Sequence, residues 1–148
     1  MGDPTPPRGS VLVVDDYEPF CEMLQTALEL AGYATVTAAN GSAALAAAAA
    51  AGGVDVALVD LGLPDRPGLE VAGELVQRSL AARCVLMSGL SPVEDLAWPD
   101  DWAGERSVLL KPYTMSDLLE QVDVALAGVR SGASVGDKER PSGVVGER

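Results

Sequence analysis

Residues Val54-Asp55-Val56-Ala57-Leu58-Val59 form an apolar, valine-rich run broken by one acid, and the run stops at a carboxylate, Asp60. Gly62 and Pro64 follow at once and turn the chain. A run of this kind reads as a strand buried on both faces, as found inside a parallel sheet. Its C-terminal end is where open α/β sheets place their chemistry. Asp60 is therefore the point around which the rest of the chain is read.

The flanking segments repeat one pattern. Residues 1–9 carry three prolines and two glycines and are expected to form a loose arm. Ser10–Val14 is a short strand ending in Asp15-Asp16, and Pro19 suits the first turn of a helix. Phe20, Met23, Leu24, Ala27, Leu28 and Ala31 recur at helical spacing before Gly32 stops the helix. Ala34–Ala38 is a second strand, and Asn40 is placed to cap a helix containing the Ala43–Ala51 tract, which Gly52-Gly53 ends. That tract suits close helix packing, though a biased coding composition would produce it equally well. After the Asp60 strand, Leu69, Ala72, Leu75 and Val76 mark a third helix, and Arg83–Met87 a fourth strand ending in Ser88-Gly89.

Between Leu90 and Arg106, Ser91-Pro92 opens a fourth helix that Pro99 cuts short. Ser107–Leu110 is a fifth strand ending in Lys111-Pro112. Thr114 caps a last helix with Leu118, Val122, Ala125, Leu126 and Val129 on one face. From about Arg130 the composition is that of a disordered tail, so the folded domain spans residues 10–129 and the tail 130–148. Five strands alternating with five helices imply a doubly wound parallel sheet covered on both faces. Right-handed crossovers then bring all strand C-termini to one edge. Asp15, Asp16, Asp60, Ser88 and Lys111 converge there.

Composition narrows the chemistry. A formal charge of −12 opposes a nucleic-acid-binding surface and suits a divalent cation or a basic protein partner. The absence of histidine removes imidazole catalysis and imidazole metal ligation. Cys21 and Cys84 lie far apart inside apolar patterns and read as reduced core thiols. The start lacks the apolar core of a signal peptide, and no run reaches the ~20 residues of a membrane span. A cytoplasmic location away from the membrane is expected.

Three carboxylates brought together repel one another unless a cation is present. An all-oxygen set with open positions suits Mg2+. Lys111 adds a fixed positive charge and Ser88 a hydroxyl, which is what a phosphoryl group landing on Asp60 would need. Of the six basic residues before position 130, five are Arg, yet this place holds a Lys, the compact point charge suited to a single oxygen.

The set Val13-Val14-Asp15-Asp16, Asp60 followed by Leu63-Pro64 and Gly68, Ser88-Gly89 and Lys111-Pro112 resembles the response-regulator receiver domains of two-component signalling, over about residues 10–129. The resemblance implies a flavodoxin-like fold with Asp60 as phosphoacceptor, taking its phosphoryl group from a phosphohistidine on a sensor histidine kinase or a histidine phosphotransfer protein. It implies Mg2+ held by Asp15, Asp16, Asp60 and the Gly62 carbonyl, Asp15 largely through water. Ser88 would bond a phosphoryl oxygen and shift toward Asp60, and Lys111 would bridge to the acceptor, with a cis bond before Pro112. Such a module is no enzyme beyond its own phosphorylation and dephosphorylation. It acts as a monomer or weak homodimer on a downstream protein or as a relay.

Two departures stand out. Receivers commonly carry an aromatic residue three before the Lys, and here that place is Val108. The Trp98-Pro99 and Trp102 region is also unlike the pattern, in a face that usually carries output; those tryptophans would cover a core edge or form a docking site. About twenty residues after the last helix leave no room for an output domain, so a stand-alone receiver is expected. A receiver-like scaffold that is never phosphorylated is one alternative. An Asp-nucleophile phosphatase is another, but it would want an acid where Gly62 stands. Taken singly, Asp15-Asp16 could be a helix cap with a first-turn acid, and Ser88-Gly89 an ordinary turn.

Overall fold

The computed structural model describes residues 6–89, 98, 100, 102 and 106–130. The elements run β1 (Ser10–Val14), α1 (Glu18–Leu30), β2 (Ala34–Ala38), α2 (Gly41–Ala50), β3 (Val54–Asp60), α3 (Gly68–Gln77), β4 (Ala81–Ser88), β5 (Ser107–Leu110) and α4 (Met115–Arg130). All five strands are parallel, in the order β2-β1-β3-β4-β5.

Strand alternation sorts the core into two layers. Leu12, Val14, Ala57, Val59, Cys84 and Leu86 face α2 and α3, meeting Ala44, Ala48, Val71, Ala72 and Leu75. Val11, Val13, Val56, Leu58, Val85 and Met87 face the opposite way, onto Cys21, Leu24 and Leu28 of α1 and Leu118, Val122 and Leu126 of α4. Each central strand is thus apolar on both sides, which is why β3 reads as a continuous run rather than an alternating one.

The helices start and stop largely where local chemistry directs. Asn40 Oδ1 accepts the Ala43 N–H at 2.8 Å, opening α2. Thr114 Oγ1 accepts the Asp117 N–H at 3.0 Å while Asp117 Oδ2 accepts the Thr114 N–H at 3.1 Å, a reciprocal box at the start of α4. Gly32, with φ of 101°, ends α1 in a backbone region that other residues avoid. The alanine tract is a packing surface: Ala44 and Ala48 are fully buried, and a Cβ on Gly41 would lie 2.7 Å from a Val71 methyl of α3.

Several expectations change. Met23 is half exposed, and Cys21 takes the inward place beside Leu24 and Leu28, so the α1 stripe is rotated from the one read in the sequence. Strand β4 begins at Ala81 rather than Arg83, because Val54 pairs Ala81 and donates to the Leu80 carbonyl at 2.9 Å. Residues 8 and 9, read as part of a loose arm, are tied down. The Arg8 N–H donates to Gly32 O at 2.8 Å, its guanidinium reaches Ala31 O and Asp123, and it lies 4.8 Å over the Tyr33 ring, whose hydroxyl also bonds Asp123. Residues 91–97 and 99 of the helix expected from Ser91-Pro92 to Pro99, residues 1–5 of the arm and residues 131–148 of the tail lie outside the described residues.

Trp98 and Trp102 meet edge-to-face at 4.8 Å and pack, partly buried, against the α2–α3 side of the core alongside Val108. Arg106 lies 5.7 Å over the Trp98 ring. The pair covers a core edge. Both cysteines are buried and unpaired. No helix among the described residues is long and apolar enough to cross a membrane.

Candidate functional site

Strand order reverses between β1 and β3, so the crevice at their C-terminal ends is the natural site of this architecture. Val14 pairs Val59, which sets Asp15 and Asp60 side by side one step later. Asp60 pairs Met87, and Ser88 pairs Leu110, so Ser88 and Lys111 complete the edge. The Lys111 N–H also donates to Ser88 O at 2.7 Å, and the Lys111–Pro112 peptide is cis.

Asp15, Asp60 and Ser88 are buried and Asp16 is exposed. One carboxylate oxygen from each of Asp15, Asp16 and Asp60 lies within 4.8 Å of the others. Lys111 Nζ donates to Asp60 Oδ1 at 2.9 Å and to Asp15 Oδ2 at 3.4 Å. The remaining oxygens are also engaged: Asp60 Oδ2 accepts the Gly62 N–H at 3.2 Å, and Asp15 Oδ1 accepts the Tyr17 N–H at 3.0 Å. All five side chains read from the sequence thus belong to one strand-end edge, and four of them form a single charged cluster.

The electrostatics follow from burial and charge. Burial foremost raises the Asp15 carboxyl above its ordinary value, and the Asp60 charge pushes the same way, against the Tyr17 N–H and Lys111. Burial works against the Lys111 ammonium. Its hydrogen bond to Asp60, with the charges of Asp60 and Asp15, outweighs that and raises its pKa. Lys111 thus bonds two of the three clustered carboxylates, Asp15 and Asp60, and the donor set is hard, anionic and all oxygen. That is the coordination chemistry of a divalent ion such as Mg2+, and the residues present fit it.

One wall of the site was not legible in advance. Tyr17, Phe20 and Tyr113 join Asp15, Lys111 and Pro112 around a cleft of about 330 Å3. Phe20 sits 6.1 Å from the Tyr113 ring and 5.3 Å from Lys111 Nζ. Burial, then Asp15 and Asp60, raise the Tyr113 phenol, which stays protonated and donates to Met87 Sδ at 3.3 Å. The only sequence signal was position: each aromatic lies within five residues of a strand-end charge. A wider hollow of about 460 Å3, lined by Gly52, Gly53, Asp55 and Ser79, opens at the other end of β3 and contains none of the cluster.

Residues 11–123 match the family described as response regulator receiver domain. The chain belongs to that family. Among curated relatives of this receiver, the transcriptional regulatory protein KdpE of Mycobacterium tuberculosis is 34% identical over 131 residues, covering 88% of this chain and 55% of that protein. The phosphate regulon transcriptional regulatory protein PhoB of Pseudomonas aeruginosa is 31% identical, covering 93% of this chain and 58% of that protein. The receiver chain thus spans a little over half the length of these relatives. Among solved structures, the response regulator TrrA of Thermotoga maritima, in complex with Mg2+ and BeF, is 33% identical with a TM-score of 0.66, covering 79% of this chain and 98% of that one. A receiver domain described as CheY-like from Methanospirillum hungatei superposes with a TM-score of 0.74 at 24% identity, covering 86% and 98%, and shares the fold.

Proposed function

We propose that this receiver accepts a phosphoryl group on Asp60 from a phosphohistidine of a partner protein, and that the modified domain signals through protein contacts or onward relay. The observation that carries the reading is the placement of Asp60. Its carboxylate lies 2.9 Å from the Lys111 ammonium, beside oxygens of Asp15 and Asp16, at the mouth of the crevice between β1 and β3. An Asp60 oxygen attacks phosphorus, the phosphorus–nitrogen bond of the donor breaks, and the imidazole leaves with a proton drawn from its surroundings. An acyl phosphate remains on Asp60.

The chain's own residues then have distinct tasks. The Gly62 N–H and Lys111 hold the acceptor carboxylate in one orientation. Lys111 passes to a phosphoryl oxygen as charge develops there. Ser88, buried beside them, supplies a hydroxyl donor after a small shift. Asp15, Asp16, Asp60 and the Gly62 carbonyl would hold Mg2+, with Asp15 acting largely through water. When bound, the ion supplies the positive charge that one lysine cannot, both to the acids and to the incoming phosphoryl oxygens. No separate substrate is turned over. The acid excess directs partner contact toward proteins rather than nucleic acid. With Val108 in place of an aromatic, any readout near β5 works without ring rotation at that position.

The test is intact mass after incubation with acetyl phosphate and Mg2+, with and without EDTA, repeated with a phosphorylated histidine kinase as donor. A single Mg2+-dependent phosphoryl adduct, absent from Asp60→Asn, is expected. An equal adduct on Asp60→Asn, or none on the wild type with either donor, would overturn the reading.

A further inference from the structure

The loop from β3 to α3 follows directly on Asp60 and carries Gly62, and it is fastened at both ends. At its start, the Leu61 N–H donates to Met87 O at 3.0 Å. At its end, the Gly68 N–H reaches back to Leu61 O at 3.1 Å. Arg66 ties the loop to α3 through Glu70 at 3.0 Å and Glu74 at 2.6 Å. The remaining side is held by Asp65. Its two oxygens accept the Gly41 N–H at 2.8 Å and the Ser42 N–H at 3.0 Å, the first free amides of α2. Helix α2 already has its own cap in Asn40, which takes the Ala43 N–H. The bonds from Asp65 are thus a crosslink between an active-site loop and a neighbouring helix. Those same amides pull the Asp65 carboxyl below its ordinary value, so it stays charged, the form in which both oxygens accept.

We propose that Asp65 is a positioning residue for the phosphoacceptor loop: by clamping the loop to the first turn of α2 it fixes where the Gly62 backbone stands relative to Asp60. It touches neither the acceptor nor the metal position, and acts through the Gly62 N–H that orients Asp60 Oδ2 and through the Gly62 carbonyl. The second of these effects rests on the proposed Mg2+ role of the cluster, whereas the first does not.

Asp65→Ala and Asn40→Ala form the test, since each removes a cap from the same helix but only the first unfastens the loop. Two measurements are made on both. Without metal, hydrogen exchange at the Gly62 and Gly68 amides should quicken in Asp65→Ala and stay at the wild-type rate in Asn40→Ala, although both variants melt at lower temperature. With Mg2+ added, the concentration needed for a given rise in melting temperature should increase about tenfold in Asp65→Ala, as expected when support of a ligand is removed, and not in Asn40→Ala. Equal exchange and equal Mg2+ concentrations for the same rise in the two variants would reduce Asp65 to an ordinary cap and overturn the proposal. A wild type whose melting ignores Mg2+ would instead sink the metal reading, leaving the exchange comparison to decide the clamp.

Discussion

Gly68→Ala is the most severe single-methyl change available near the site, and its consequence can be worked from the backbone. A Cβ at position 68 would stand 2.1 Å from Asp60 O, 2.7 Å from Leu61 Cα and 2.8 Å from Asp60 C. A comfortable carbon–oxygen approach is about 3.3 Å, so the start of α3 would have to retreat by roughly 1 Å. All three obstacles are backbone atoms, so no side-chain rotation relieves the clash. The retreat also pulls on the Gly68 N–H bond to Leu61 O. Inserting a methyl into a tight core usually costs 1–3 kcal/mol, and the missing escape route places this one at about 3 kcal/mol. For a domain of this size that is a fall in melting temperature of about 12 °C. Gly62→Ala is the matched control: its nearest neighbour, Asp60 Oδ2, would be an ordinary 3.6 Å away, and the cost should stay within about 0.5 kcal/mol. Urea and thermal melts of the two variants decide the point. Because the displaced atoms belong to Asp60 itself, Gly68→Ala should also phosphorylate slowly at temperatures where it is fully folded. A Gly68→Ala variant that melts within about 3 °C of wild type would refute the steric reasoning.

Two further outcomes follow from charge. Lys111→Met leaves Asp15 and Asp60 facing each other without the ammonium that now sits 3.4 and 2.9 Å away. Lys111 is about one-third exposed, so the loss should be nearer 2 kcal/mol than the larger cost of breaking a fully buried pair. Mg2+ should then raise the variant's melting temperature by more than the wild type's; equal increments would count against a shared cation site. The thiols make a separate case. Burial pushes Cys84 up to about 12, and burial with the Asp15 charge pushes Cys21 up to about 11, so neither is a thiolate near pH 8. Iodoacetamide should leave both untouched in the native protein and label both in urea. Since the unfolded thiols ionise first, stability should fall as pH rises from about 9 toward 11, and less steeply in Cys84→Ser. Rapid native labelling of either cysteine would contradict the burial.

The sequence was most informative where one residue type carries one physical meaning. Valine-rich runs located β1 and β3, and the alternation of strand-like runs with helical stripes gave the parallel, two-faced sheet. It misled where several residues could serve. Met23 and Cys21 both fit a helical stripe within one residue of error. The fold chose Cys21 because a small thiol fits beside Asp15 O, which its Sγ approaches at 3.1 Å, while the longer Met23 reaches solvent. Arg8 shows the opposite failure. Its proline- and glycine-rich surroundings argue for a free arm, yet its partners Gly32, Ala31 and Asp123 are distant in sequence and became neighbours only through the fold.

The site divides along the same line. Asp15, Asp16, Asp60, Ser88 and Lys111 were legible because each ends an apolar run, and strand ends in a parallel sheet share an edge whatever the loops do. Asp65 was not, since an acid in a turn between Pro64 and Pro67 reads as solvent-facing, which in the folded chain it still is. Its partners are main-chain amides, and amides carry no signature in a sequence. What makes Gly41 and Ser42 available is the first turn of α2, where helical geometry leaves N–H groups without internal acceptors. What brings Asp65 to them is the close packing of α2 on α3, permitted by Gly41 against Val71. The alanine tract, featureless as a sequence, therefore has a consequence at the loop that follows Asp60. A bulkier α2 would stand farther from α3, lift its first turn away from Asp65, and leave the Asp60 loop fastened on one side only.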